Sequence, residues 1–165
     1  MSLQLTEYNN ICDISNILKR RMRKDIEFLY KKQQNNNLYK LLSYSDHVIK
    51  LRMKFINKSL CVVFHFTKAY PWKVPNVLIN GRKYINILAI PNDLLKTVGI
   101  YNTCLCCSTY ACGNNWSPII KLTKLVEEIE QNIIMKRRIV DKIFCKYIIK
   151  KYFWLPYPLP ISDFL

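Results

Sequence analysis

Two neighbouring stretches of the chain alternate apolar and polar residues, and this pattern restricts the possible fold more than any other feature. Between His47 and Phe55 every second residue is apolar, and basic residues fill most of the positions between them. After a turn around Asn57-Lys58, the segment from Leu60 to Phe66 alternates again. A period of two residues is typical of a strand that buries one face. The two segments therefore predict an antiparallel hairpin.

Apolar residues recur every three or four positions near both ends of the chain, which predicts helices there. The first helix is expected from Asp13, its predicted cap, to about Lys32. Another helix is expected to start behind Ser117-Pro118, since proline is favoured at the first helical position, and to reach Ile133. A separate, heavily basic helix is predicted from about Met135 to Tyr152, before a proline-rich tail.

The order of the predicted elements gives the fold class. Weaker strands are expected from Leu38 to Tyr44 and from Asn76 to Ile79. From Ile85 to Trp116 no period holds for long, which predicts a long irregular crossing of a kind that often carries function. We therefore predict an α+β protein with an N-terminal helix, an antiparallel meander sheet of about four strands, this crossing and C-terminal helices. Residues 1–133 would form the core domain, with residues 134–165 as a basic helix and tail packed on it or extending from it.

The balance of charges implies an acidic partner. The 165 residues carry 26 basic and 11 acidic side chains, for a net charge of +15, which suits nucleic acid, an anionic membrane or an acidic protein surface. The sequence has no zinc-finger spacing, RNP signature or helix-turn-helix signal, so nucleic-acid binding stays a generic alternative. The wealth of Asn, Ile, Lys and Tyr at the expense of Gly and Ala suggests an AT-rich genome, such as that of a protist or large DNA virus.

The sequence also bears on location. No apolar run reaches the roughly 18 residues of a membrane span, and the first residues lack the charged and apolar regions of a signal peptide. We therefore expect a cytoplasmic protein, in the host cell or the virion if the source is a virus. In a reducing cytosol the seven cysteines are expected to be thiols, without a disulfide framework.

Two short motifs follow the predicted hairpin. The first is Tyr70-Pro71-Trp72-Lys73-Val74-Pro75, and the second is Cys104-Leu105 followed by Trp116-Ser117-Pro118. In this order they resemble ubiquitin-conjugating enzymes, in which a Tyr-Pro-aromatic-x-Pro-Pro loop leaves the third strand and a Cys-Leu loop precedes Trp-Ser-Pro. Val74 replaces the first of the paired prolines. The related RWD domain shares the Tyr-Pro loop but normally lacks the cysteine and the Trp-Ser-Pro.

The resemblance implies that Cys104 carries ubiquitin or a ubiquitin-like modifier as a thioester. It would accept the modifier from an activating enzyme and pass it to a lysine amine, which is chemistry that needs no metal or cofactor. The family also uses the Asn of a His-Pro-Asn tripeptide for the oxyanion of the transfer step. That tripeptide is absent from the sequence. Asn92 in Ile90-Pro91-Asn92 keeps two of its three residues, and Asn86 is the alternative because it lies nearer the usual distance from the Tyr-Pro loop.

The resemblance also implies two contact surfaces. An acidic face of the activating enzyme would meet basic residues of the first helix, namely Lys19, Arg20, Arg21, Arg23 and Lys24. A ligase would contact the two motif loops through Trp72, Pro118 and Ile119. Each set has a simpler interpretation, because the basic residues could be a solvated helix face and Trp72 could belong to the core.

Four cysteines lie within nine positions, and their roles stay open. Cys104, Cys106, Cys107 and Cys112 could be zinc ligands, although they lack the paired Cys-x-x-Cys units of structural zinc sites. The last three are otherwise expected to be small buried residues. A shift in register would give the catalytic role to Cys106 or Cys107.

Two rival functions stand beside the conjugating enzyme. One is a catalytically degenerate copy of the same fold that serves as a structural or binding protein, for example in a virion, with its basic C-terminal helix against an acidic partner. The missing tripeptide and the net charge of +15 favour it. The other is a basic nucleic-acid-binding protein unrelated to ubiquitin, whose binding would depend strongly on salt.

Overall fold

The computed structural model describes residues 16–35, 38–45, 47–55, 58–101 and 104–152. Within these ranges the protein is of the α+β class, with an N-terminal helix, an antiparallel sheet and a helical C-terminal part, as predicted. The predicted cap Asp13 and the proline-rich tail lie outside the described residues. In chain order the elements are α1 (Asn16–Asn35), β1 (Tyr39–Ser45), β2 (Val48–Phe55), β3 (Lys58–His65), β4 (Asn76–Ile79), β5 (Arg82–Lys83), α2 (Tyr84–Leu88), α3 (Asn92–Thr97), α4 (Leu105–Ser108) and α5 (Leu122–Tyr152).

The strands form one antiparallel meander in the order β1-β2-β3-β4-β5. The predicted hairpin is its centre, where Ile49 lies opposite Phe64 and Leu51 lies opposite Val62. These four side chains are fully buried and belong to the same apolar cluster as the inner faces of α1 and α5. The basic residues between them in β2 point to the opposite, exposed face. The period of two residues in the sequence thus separates the core from solvent.

β5 is a strand that the sequence analysis did not predict. It follows β4 through Asn80-Gly81, both of which have positive φ, at 49° and 80°. Asn and Gly are the residues that tolerate this left-handed conformation best, and Asn-Gly is a strong hairpin signal. The side-chain oxygen of Asn80 also accepts the N–H of Cys61 at 2.9 Å, which ties the turn to β3.

The C-terminal part is one helix of 31 residues, so the prediction of two separate helices is wrong. α5 runs through positions 133–135 because no Gly or Pro interrupts it there. It begins at Leu122, later than predicted, since Pro118–Ile120 form a turn first. The expected boundary between residues 133 and 134 therefore falls inside a helix. Among the described residues, no helix is both long and apolar enough to cross a membrane.

The second half of α5 packs against the crossing. Ile139 is buried, the ammonium of Lys136 donates to the carbonyl of Ile87, and that of Lys146 donates to the carbonyl of Thr97 at 2.6 Å. Two lysines of the predicted basic helix therefore hold α5 to α2 and α3. Further along the helix, Phe144 and Tyr147 are exposed.

The crossing contains three short helices, α2, α3 and α4, instead of being irregular throughout. Tyr84, Leu88 and Leu95 are buried and fix α2 and α3 to the core and to α5. Each of these helices has six residues or fewer. Such a length is too short to display a period of 3.6 residues in the sequence, which is why they were not predicted.

Candidate active site

A buried carboxylate joins α1 to the loops that hold both motifs. Asp25 is 2% exposed. It accepts hydrogen bonds from Arg21 Nε at 2.9 Å, from the Tyr70 hydroxyl at 2.5 Å and from the backbone N–H of Leu122 at 3.3 Å. Burial raises the pKa of Tyr70 well above its ordinary value, and the carboxylate adds to the increase. The hydroxyl therefore stays protonated and donates a hydrogen bond to Asp25.

Arg21 has an internal role. Beyond its bond to Asp25, its two terminal nitrogens donate to the carbonyls of Pro118 and Ile120 at 2.7 and 2.6 Å. Those carbonyls belong to the turn before α5, so Arg21 fixes the position of the Trp-Ser-Pro loop. The five basic residues assigned to the activating enzyme therefore do not form one outward surface. Arg20, Arg23 and Lys24 are exposed and Lys19 is half-buried.

Trp116 connects the two motif loops directly. Its indole N–H donates to the carbonyl of Pro71 at 2.7 Å, and its ring lies 6.1 Å from that of Tyr70 between centroids. Both Trp116 and Pro71 are buried. We refer to Arg21, Asp25, Tyr70 and Trp116 as the junction. The Tyr-Pro loop and the Trp-Ser-Pro loop thus meet at the junction, where Trp116 bonds to Pro71 across 45 positions of sequence.

The residues assigned to a ligase lie at the surface beside the junction. Trp72 is 69% exposed and Ile119 is 85% exposed, while Pro118 is half-buried. The alternative that Trp72 belongs to the core is therefore wrong. Each exposed apolar side chain projects from a loop whose neighbouring residues are fixed by the junction.

Cys104 stands at the start of a single tight helical turn. Its own backbone is extended, and its carbonyl accepts the N–H groups of Cys107 and Ser108 at 3.1 and 3.2 Å. Leu105 packs against the core, and the side-chain amide of Asn115 donates to the carbonyl of Cys107 at 2.6 Å. We refer to Cys104, Cys106 and Cys107 with this turn as the cysteine turn. It is held in place although Cys107 is exposed and Cys104 and Cys106 are only half-buried.

The sulfurs of the cysteine turn lie together. Cys104 and Cys106 are joined by a disulfide, which differs from the expectation that all cysteines are thiols. The Cys107 sulfur is 3.9 Å from that of Cys106, and all three lie within 4.8 Å of one another. Cys112 is not part of this group, so the structure assembles three of the four suggested zinc ligands. None of the three is fully buried, against the expectation for Cys106 and Cys107.

An open cleft adjoins Cys104. Its walls come from α3, the cysteine turn and α5, and its volume is about 650 Å³. The lining is mostly apolar and consists of Leu95, Ile100, Cys104, Leu105, Cys107, Ser108, Met135 and Ile139. The cleft opens to solvent beside the cysteine turn.

The two asparagines proposed for the oxyanion are exposed, and neither lines the cleft beside Cys104. Asn92 is the exposed first residue of α3, and Asn86 is exposed in α2 and lines a different cleft with Arg82, Lys83 and Lys136. The side-chain amide that the structure does tie to the cysteine turn is that of Asn115, which sequence reasoning missed. Asn115 lies in a Gly-Asn-Asn stretch directly before Trp116. Such a stretch predicts a loop but does not indicate a role for the side chain.

Glu128 on α5 holds the loop that follows the cysteine turn. Its carboxylate accepts the backbone N–H of Tyr110 at 3.0 Å. Burial raises the pKa of Glu128 above its ordinary value, and hydrogen bonds from Tyr110, Thr109 and Asn132 offset part of that increase. The sequence offers one indication that Glu128 lies near the core. It directly precedes Ile129, which is buried on the inner stripe of α5.

Comparison with known proteins gives no further identification, because no family model, curated protein or solved structure matches this chain. The function must therefore be inferred from the residues themselves.

Proposed function

We propose that the protein is a thiol-dependent acyl carrier similar to ubiquitin-conjugating enzymes, which holds ubiquitin or a related modifier on Cys104 and transfers it to lysine. The observation that carries the proposal is the position of Cys104. It is half-buried at the start of a fixed turn and lines an open apolar cleft. A thioester carrier needs a cysteine that is both accessible and held in one place.

The junction supports the same function. It brings the Tyr-Pro and Trp-Ser-Pro loops together and leaves Trp72 and Ile119 exposed on them. Exposed aromatic and aliphatic side chains on rigid loops are suited to be anchors for a partner protein. A ligase would contact this pair, and the activating enzyme would meet the exposed Arg20, Arg23 and Lys24 of α1.

The chemistry requires the reduced form of Cys104. The thiolate attacks the carbonyl of the modifier's activated C-terminus, a new carbon–sulfur bond forms, and the thiol of the activating enzyme leaves. In the second step a lysine amine attacks the thioester, an amide bond forms and Cys104 is released as a thiol. The disulfide with Cys106 must first be opened by a thiol reductant. Asn92 stays the predicted oxyanion residue, with Asn86 as the alternative, because the side-chain amide of Asn115 already donates to the carbonyls of Cys107 and Thr109.

A charging assay tests the proposal. The full chain, reduced beforehand, is incubated with activating enzyme, ATP and ubiquitin, and adducts are separated on non-reducing gels. We expect an adduct that excess thiol cleaves and that Cys104→Ala abolishes. Cys145→Ala and Ile119→Ala are matched controls, since both alter exposed side chains away from the cysteine turn, and both should charge normally. If neither ubiquitin nor related modifiers form an adduct, the proposal fails.

The degenerate copy of the fold remains the second candidate. The observation that favours it is the exposed surface of α5 beyond the crossing, where Phe144 and Tyr147 lie among Lys142, Lys150 and Lys151. Such a surface suits an acidic partner and does not require a reactive cysteine. A protein that never charges but binds an acidic partner through this surface would have this function.

A further inference from the structure

Three sulfurs converge on the cysteine turn, and one of their separations suits a metal ion. The sulfurs of Cys104, Cys106 and Cys107 lie within 4.8 Å of one another, and those of Cys106 and Cys107 are 3.9 Å apart. A metal–sulfur bond is about 2.3 Å long, so the sulfurs around one ion lie about 3.8 Å apart in a tetrahedral site and about 4.0 Å apart in a trigonal one. The sulfurs of Cys106 and Cys107 already have this separation.

The backbone that presents the sulfurs is fixed from several sides. The carbonyl of Cys104 accepts two N–H groups of the turn, and Leu105 packs on the apolar core. Asn115 donates to the carbonyls of Cys107 and Thr109 at 2.6 and 3.1 Å. This geometry is held by groups other than the cysteine side chains, so a bound ion needs the disulfide to open and those side chains to rotate while the backbone stays in place. Such preorganisation favours binding.

We propose that the reduced cysteine turn binds one thiophilic d¹⁰ ion, Cu⁺ or Zn²⁺, through the sulfurs of Cys104, Cys106 and Cys107. Thiolates select ions of this class over Mg²⁺ or Ca²⁺. Among the described residues, no further His, Cys, Asp or Glu belongs to the group. Cu⁺ is satisfied by three sulfurs, whereas Zn²⁺ takes water from the open cleft as its fourth ligand.

Binding follows reduction of the disulfide. A thiol or phosphine reductant supplies two electrons, two protons are taken from water, and the sulfur–sulfur bond of Cys104 and Cys106 becomes two thiols. The ion then replaces the protons of three thiols, which pass to solvent, and three metal–sulfur bonds form. The metal site does not depend on the proposed acyl carrier. If both exist, they compete for the sulfur of Cys104, and the bound ion blocks charging.

The experiment uses the full chain, reduced with a phosphine, freed of metal by a chelator and kept without oxygen. Zn²⁺ and Cu⁺ are added in separate arms, and bound metal is measured by elemental analysis after desalting. Alkylation with N-ethylmaleimide, followed by intact mass, counts the protected thiols. We expect one ion per chain in at least one arm and three protected cysteines. A competing chelator is then added to each arm, and the ion that stays bound against the stronger chelator is the one that the site prefers.

Serine variants locate the site. Cys104→Ser, Cys106→Ser and Cys107→Ser should each weaken binding at least about tenfold, the smallest loss typical of disturbing a metal site. Cys112→Ser and Cys145→Ser should bind as the parent does. A need for Cys112, retention of affinity in all three turn variants, or no binding of either ion would overturn the proposal. Because activating enzyme and ubiquitin are absent, failure here is distinct from failure to charge.

Discussion

The junction and the cysteine turn are both parts of the candidate site, yet they are held in different ways. The junction is mostly buried, with Asp25 2%, Trp116 9% and the Arg21 side chain 20% exposed, and its bonds join residues that are up to 99 positions apart. The cysteine turn is open, and its bonds are local, within the turn or to Asn115. The chain thus fixes the two motif loops through buried contacts and leaves the three cysteines of the turn half-buried or exposed.

This difference predicts which substitutions should lower the free energy of unfolding. A buried polar group that loses its partner destabilises the fold by its full desolvation free energy, while an exposed group forms a hydrogen bond with water instead. Changes at the junction should therefore lower the free energy of unfolding, whereas changes on the open side should alter chemistry and leave stability nearly unchanged. Paired substitutions of buried and exposed side chains test this expected difference.

Asp25→Asn should have the largest effect. The carboxylate accepts three hydrogen bonds, two of them on one oxygen, and an amide nitrogen at either position would face a donor. We expect the free energy of unfolding in urea to fall by about 3 kcal/mol. Asp93→Asn is the matched control, since the Asp93 side chain is 97% exposed, and it should change the value by less than about 0.5 kcal/mol. Equal effects of the two substitutions would contradict the expected difference between the buried junction and the exposed surface.

Trp116→Phe should have the next largest effect. It keeps an aromatic ring but removes the N–H that satisfies the buried carbonyl of Pro71. An unsatisfied buried acceptor costs about 1–3 kcal/mol, and urea denaturation should show a loss in that range. Trp72→Phe makes the same chemical change at a side chain that is 69% exposed and should be nearly neutral. A neutral Trp116→Phe would mean that the motif loops are not held together by this bond.

Glu128→Gln should have the smallest effect, and one that depends on pH. Burial raises the pKa of Glu128 in the folded protein, so the folded state holds this proton more tightly than the unfolded chain does. Its contribution to stability is therefore full below the unfolded pKa and is lost as pH rises through the folded one. Gln has no such proton and still offers an acceptor to Tyr110.

Urea midpoints of the parent and of Glu128→Gln, measured from about pH 4 to about pH 7, check this prediction. The variant should gain stability relative to the parent as the pH rises, and the two should differ least at the acid end. A difference that stays constant across the series would show that the carboxylate is not affected by its burial.

The sheet could be predicted from sequence because its strands alternate cleanly, as the pairing of Ile49 with Phe64 shows. β5 was missed although Asn80-Gly81 carried its signal, since two residues are too few to show a period. The continuity of α5 was missed because a change from an apolar to a basic surface was interpreted as a boundary. Neither error concerned the chemistry of the site.

The site was predictable only in part. The motifs indicated which two loops carry the candidate contact residues, but the bond by which these loops meet, from Trp116 to Pro71, was not predicted. Arg21 was placed among outward basic residues because its partners, the carbonyls of Pro118 and Ile120, lie 97 and 99 positions away. Asp25 did carry a signal, since it falls on the buried stripe with Leu18, Met22 and Leu29. A carboxylate at such a position indicates a buried partner.

Charging of proteins that retain a single cysteine of the turn tests the central claim most directly. In three variants, two of Cys104, Cys106 and Cys107 are changed to Ala and one is kept, and each reduced protein is incubated with activating enzyme, ATP and ubiquitin. Intact mass then measures the adduct before and after excess thiol. The variant that keeps Cys104 should gain one thiol-labile ubiquitin, and the other two should not. An adduct only on the variant that keeps Cys106 or Cys107, or on none of the three while the parent charges, would contradict the assignment of Cys104 as the carrier.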